Sequence, residues 1–154
     1  MEKSPELKNG ELAGFAAGQP PQDRFRFEPG EEMVAACRFD LDANLDFADG
    51  WIVLTDRRLL ADAPASADGG PGRDAAAGVW AWPIDAATQL DVRIRTAVGR
   101  IELSQRDRVV ARWLFTPARA KGVHALEDAF DAHAHGTRRL REESAGRAPE
   151  PTAE

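Results

Sequence analysis

Residues Leu90–Phe115, LDVRIRTAVGRIELSQRDRVVARWLF, decide the fold class of this chain. Leu90, Val92 and Ile94 alternate with Asp91, Arg93 and Arg95, and Ile101 and Leu103 alternate with Arg100 and Glu102. Val109, Ala111, Trp113 and Phe115 alternate with Arg108, Val110, Arg112 and Leu114. A period of two places successive side chains on opposite faces of a strand. The stretch therefore predicts three consecutive strands, turning at Ala97-Val98-Gly99 and at Arg106-Asp107.

Upstream, the same alternation and one short apolar run, Trp51-Ile52-Val53-Leu54, predict four further strands over Glu32–Phe39, Leu45–Leu54, Arg58–Ala63 and Val79–Ile84. Thr55-Asp56-Arg57 has the chemistry of a tight turn, whereas Pro64–Gly78, with Gly69, Gly70, Pro71 and Gly72, has neither period and predicts a long, flexible hairpin loop. Downstream, Thr116 is placed to cap a helix that starts at Pro117, where the missing N–H costs nothing. Val123, Leu126 and Phe130, with His133 completing the spacing, form one apolar stripe, and Gly136 is expected to stop the helix. Gly122, inside that helix, points to a close approach to the sheet. The expected fold is mainly β, a seven-stranded antiparallel barrel or sandwich capped by one C-terminal α-helix.

Composition divides the chain into an arm over 1–28, a folded domain over 29–135 and a polar tail or linker over 136–154. The apolar residues of the arm, Leu7, Leu12, Phe15, Phe25 and Phe27, lack a sustained period, which predicts a mobile segment, and the tail carries too little apolar surface to offset the entropy of ordering. The longest apolar run is far shorter than the roughly 20 residues of a membrane-crossing helix. Met1–Gly10 lacks the basic-then-apolar build of an export signal, and Cys37 has no second cysteine to pair with, which together predict a reducing, cytoplasmic setting. A net charge of −6 speaks against a general nucleic-acid binder.

Within this composition, Pro29-Gly30-Glu31-Glu32 and Trp51-Ile52-Val53-Leu54-Thr55-Asp56-Arg57-Arg58-Leu59-Leu60 resemble the bacterial pleckstrin-homology-like (PH-like) domains over about Pro29 to His135. The order Gly30-Glu31, Phe39-Asp40-Leu41-Asp42, Thr55-Asp56-Arg57-Arg58-Leu59-Leu60-Ala61 and Trp82-Pro83 resembles, more narrowly, the N-terminal cytoplasmic domain of ABC exporters with fused permease and ATPase. The resemblance implies a PH-like fold and a docking or regulatory role, with the polar tail leading to a transmembrane region and the inner face of the membrane as the place of work. The lipid-binding members carry Lys and Arg between the first two strands. Here that loop is Asp40-Leu41-Asp42-Ala43-Asn44, which repels phosphate, so headgroup recognition is not carried over to it.

Charge is unevenly placed. Glu28–Pro64 holds nine carboxylates against three arginines, and Asp91–Arg119 holds seven arginines against three carboxylates. By alternation, Arg93, Arg95, Arg100, Arg108 and Arg112 are expected on one outward face, suited to an acidic protein or a weak contact with an anionic membrane surface. The alternative is a solvated face neutralised by Asp91 and Glu102. Trp80 and Trp82, beside the Gly-rich loop, are the aromatic candidates for a partner contact, against a core role.

Catalytic readings lack material. His124, His133 and His135 do not have the spacing of a metal pair on a helix, Cys37 has no nearby His, and the Gly69–Asp74 loop lacks the Gly-Lys-Ser/Thr ending of a phosphate cradle. Acid pairs such as Glu31 and Glu32, or Asp40 and Asp42, are expected to be solvated and ordinary. The sequence thus predicts a non-enzymatic docking or regulatory module without cofactor or metal. Its expected partner is a protein or the remainder of a membrane transporter, and the alternative is a free-standing binding protein that uses the arginine face.

Overall fold

The computed structural model describes residues 19–21, 23–67, 73–74 and 78–146. Among these residues nine strands follow in order: β1 (Met33–Leu41), β2 (Phe47–Thr55), β3 (Arg58–Ala61), β4 (Ser66–Ala67), β5 (Arg73–Asp74), β6 (Val79–Pro83), β7 (Thr88–Arg95), β8 (Val98–Gln105) and β9 (Arg108–Phe115). A single 3-10 turn, Pro117–Arg119, leads into α1 (Ala120–Ala145). The seven long strands are those the alternation predicts, and the fold is mainly β with one C-terminal helix.

The sheet runs β5-β6-β3-β2-β1-β9-β8-β7 with every pairing antiparallel, and it does not close. Between β1 and β9 a single pair, Leu41 opposite Leu114, joins the two parts of the sheet. Their inner faces share one core: Ile52, Leu54, Leu59 and Trp82 from the first part meet Ile101, Leu103, Trp113 and Phe115 from the second. The Val123, Leu126 and Phe130 stripe of α1 joins this core and is almost wholly withdrawn from solvent.

The run Trp51–Leu54 is continuous rather than alternating because both of its faces are covered, the pattern of a strand buried on two sides. Ile52 and Leu54 face the main core, while Val53 belongs with Leu60, Val79 and Phe25 to a second cluster. Phe25 lies in the arm assigned to 1–28, yet it is 4% exposed and covers the back of β2 and β3.

Several expectations are corrected. Within the predicted loop Pro64–Gly78, Ser66 and Ala67 pair with Arg112 and Ala111 of β9, and Arg73 and Asp74 pair with Trp80 and Val79 of β6. Of the Gly69–Asp74 motif only Arg73 and Asp74 lie among the described residues. The helix does not stop at Gly136 but continues to Ala145. One glycine costs about 1 kcal/mol relative to Ala in a helix, too little to end a segment rich in Arg, Glu and Leu. Thr116 caps nothing with its side chain: its hydroxyl donates to Asp40 Oδ2 at 2.6 Å and its N–H to Asp40 Oδ1 at 2.7 Å. Gly122 does face β1, but a methyl group there would meet Cys37 Cβ at 3.8 Å, an ordinary contact that does not require glycine.

Candidate docking surfaces

The residues that carry the family resemblance come together as a clasp. Gly30, at φ 79°, turns the chain so that Glu31 enters the protein, its side chain fully buried. Its carboxylate accepts from Arg58 Nε at 2.8 Å, from Arg58 Nη2 at 2.9 Å and from the Thr55 hydroxyl at 2.8 Å. Thr55 Oγ1 in turn accepts the N–H groups of Arg57 and Arg58, which shapes the β2–β3 turn. The Arg58 guanidinium holds the Glu31 carboxyl at a pKa of about 2, against the desolvation that alone would raise it. Glu31 is therefore neither solvated nor ordinary, and neither is Asp40, which is buried and ties β1 to the start of the helix through Thr116.

The outward face of β7, β8 and β9 follows from register. Arg93 lies opposite Arg100, which lies opposite Leu114; Asp91 lies opposite Glu102, which lies opposite Arg112; Arg95 lies opposite Val98. Facing partners share a side of the sheet, so Arg93, Arg95, Arg100 and Arg112 do form one face. Arg108 does not belong to it. Leu103 pairs with Ala111 and Ser104 with Val109, so Val110 is an extra residue in β9 that reverses the alternation before it. The bulge also buries Val110 beside Ala111, where strict alternation would turn it outward.

The acids on this face act as the neutralising reading expects. Asp91 pairs with Arg93 Nε at 2.9 Å, and Glu102 with Arg100 Nε at 2.6 Å and Arg112 Nη2 at 3.5 Å. Arg95 has no ion pair among the described residues. The tryptophans are core elements: Trp82 is 1% exposed, stacks on half-buried Trp80 at 6.0 Å between ring centroids, and meets Trp113 edge-on at 5.4 Å. Trp82 is thus not a contact residue, and its indole N–H is buried without an acceptor among the described residues.

A second surface has no counterpart in the sequence reading. β7 ends the sheet, and α1 packs against it. The Val92 N–H points away from β8 and donates to Glu127 Oε2 of the helix at 3.0 Å. By the antiparallel register, the backbone groups of Leu90 and Ile94 lie on this same outer side. Between β7 and α1 opens a cleft of about 630 Å³, with Leu90, Phe130 and Ala134 as its apolar part and Gln89, Asp91 and His135 among its polar lining.

The remaining candidates are structural. His133 Nε2 donates to the Asp56 carbonyl at 3.0 Å, tying α1 to the β2–β3 turn, and His135 Nδ1 donates to the Asp131 carbonyl within the helix. Burial pushes the Cys37 thiol up to about 12, far from a reactive thiolate. Among the described residues no group of three or more His, Cys, Asp or Glu side chains is placed to hold a metal ion, and no helix is long and apolar enough to cross a membrane. Comparison with models of known protein families finds no match, and no curated protein matches the chain.

Proposed function

We propose that this chain is a non-catalytic docking module that takes up an extended segment of a protein partner along the free edge of β7. The observation that carries the reading is the combination of a sheet-ending strand with a helix beside it and a cleft between them. An edge strand offers a row of N–H and C=O groups to any chain that pairs with it. In the cleft Leu90 and Phe130 are almost fully buried, so half-buried Ala134 is the apolar contact it offers, beside the polar Gln89, Asp91 and His135. The Glu127 carboxylate at Val92 N–H occupies the place that a partner's carbonyl would take. The resemblance to exporter N-terminal domains supports the body of a membrane transporter, at the inner face of the membrane, as the partner, reached through the segment that follows α1.

The test is selection of peptides from a displayed library on the purified chain, with rebinding to Ala134→Trp, whose ring fills the cleft and leaves the β7–β8 ladder intact. The expected peptides alternate apolar and polar residues, lose binding to A134W, and slow amide exchange at Leu90 and Ile94. Peptides that bind both proteins equally, or that leave these amides unchanged, refute the edge as the docking site.

A further inference from the structure

The β7–β8 hairpin carries a second feature that edge docking does not use. Arg93 and Arg100 stand directly opposite one another, an arrangement of like charges that destabilises an antiparallel pair. Arg95 follows on the same face, and these three arginines, with Ala97, Val98 and Leu114, line a hollow of about 400 Å³. Asp91 and Glu102 reduce the repulsion from one row further along, but both engage their arginines on β7 and β8 through Nε. A guanidinium carries five donors in a planar fork, so each retains donors for a further acceptor. Four arginines against two carboxylates leave this face positive on a chain whose net charge is −6.

The turn that closes the hollow is strained as well. Thr96 has φ 33°, a left-handed conformation that a β-branched residue rarely adopts. The turn after it, at Arg106 and Asp107, also has positive φ, but neither of its residues is β-branched. Strain of this kind persists where the surrounding structure fixes it, and it collects at ligand sites. Here it holds Arg95 and Val98 at the end of the strand pair, directly beside the opposed arginines.

We infer that this hollow binds a phosphate monoester group. Three guanidinium groups around one concavity match the several oxygens of a phosphate, and such charge-assisted contacts are the strong ones. The half-buried Val98 and Leu114 suit an apolar portion attached to the phosphate. A soluble phosphomonoester and a lipid headgroup both present this chemistry. The site stands apart from the acidic β1–β2 loop, and it does not depend on peptide docking.

The experiment has two arms on the full chain. In the first, inorganic phosphate and glycerol 3-phosphate are titrated at low salt while the Nε–H signals of Arg93, Arg95 and Arg100 are followed by NMR. In the second, the chain is sedimented with vesicles of phosphatidylcholine alone or mixed with phosphatidic acid. Both arms compare wild type with Arg95→Glu and with Arg106→Glu, which makes the same charge change on the β8–β9 turn. The expected result is saturable binding in at least one arm, weakened about tenfold or more by R95E and little by R106E, since a charged hydrogen bond contributes roughly 1.5–3 kcal/mol. Saturation in the first arm identifies a soluble ligand, and binding only to phosphatidic acid vesicles identifies a lipid-borne one. No saturable shift and no phosphatidic acid dependence would overturn the inference, as would equal weakening by R95E and R106E.

Discussion

Replacing Glu31 by glutamine preserves the shape of the clasp and removes its charge. In the folded protein the Glu31 carboxyl titrates near 2 instead of 4.5, chiefly because Arg58 donates to it, and its side chain is fully withdrawn from water. At about 1.4 kcal/mol per pH unit, that difference is worth about 3 kcal/mol, a large share of a typical domain's 5–15 kcal/mol. Because the folded pKa is the lower one, the stabilisation is complete above pH 4.5 and is lost as the pH falls toward 2. Urea unfolding of wild type and E31Q at pH 7, repeated in steps down to pH 3, measures this directly. E31Q is expected to be weaker by up to about 3 kcal/mol at pH 7, equivalent to a melting temperature lower by roughly 6–12 °C, with the gap narrowing below pH 4.5. Equal stability at pH 7, or a gap that does not narrow on acidification, would refute the clasp as the source of the shift.

Three further outcomes follow from packing and burial. Gly136→Ala should stabilise the protein by about 1 kcal/mol and raise its helical circular dichroism, because the added methyl meets nothing within 4 Å in a continuing helix; no gain would mean that α1 ends before this residue. Gly99→Ala should destabilise by roughly 1–3 kcal/mol in the same urea assay. Its methyl would fall 2.2 Å from the ring of the fully buried Phe115, and unchanged stability would show that the ring can move aside. The Cys37 thiol, 3% exposed, should resist a disulfide-exchange reagent at pH 8 until denaturant is added, whereas rapid labelling of the native protein would contradict its burial.

The strands were legible wherever burial differs between the two faces of the sheet. In β8, Ile101 and Leu103 are fully buried while Arg100 and Glu102 are half-exposed, so charge and apolarity report the pleat directly. The bulge in β9 was not legible because Val109 and Val110 are chemically alike and no glycine marks the extra residue. The role of Phe25 is not legible in the sequence, because its cover of Val53 and Leu60 is a tertiary contact that leaves no period. Asp40 and Glu31 look like ordinary solvated acids in the sequence because their partners are distant: Thr116 stands 76 residues from Asp40, and Arg58 stands 27 from Glu31. Of the arginine face, four members were found by alternation alone, and only Arg108 fell to the bulge. The β7–α1 cleft joins elements far apart in the chain, and nothing local in Gln89 or Ala134 announces it.

The residues behind the family resemblance, Gly30, Glu31, Thr55 and Arg58, are used internally, so what they support is a fold, and function has to be sought on surfaces they leave free. Both surfaces proposed above are built on β7, and Arg93 lines each of them. Arg93 is paired with Asp91, which lines the peptide cleft but not the anion hollow. A phosphate that draws Arg93 toward the hollow leaves Asp91 open to a basic side chain of a docked segment, and such a side chain releases Arg93 in return. Linkage requires that any such coupling be reciprocal. Peptides selected on the cleft and carrying a lysine or arginine should therefore bind more tightly with phosphate present, phosphate should bind more tightly with the peptide present, and Asp91→Asn should abolish both effects together. If D91N leaves the coupling intact, the two surfaces communicate through something other than the Asp91–Arg93 pair.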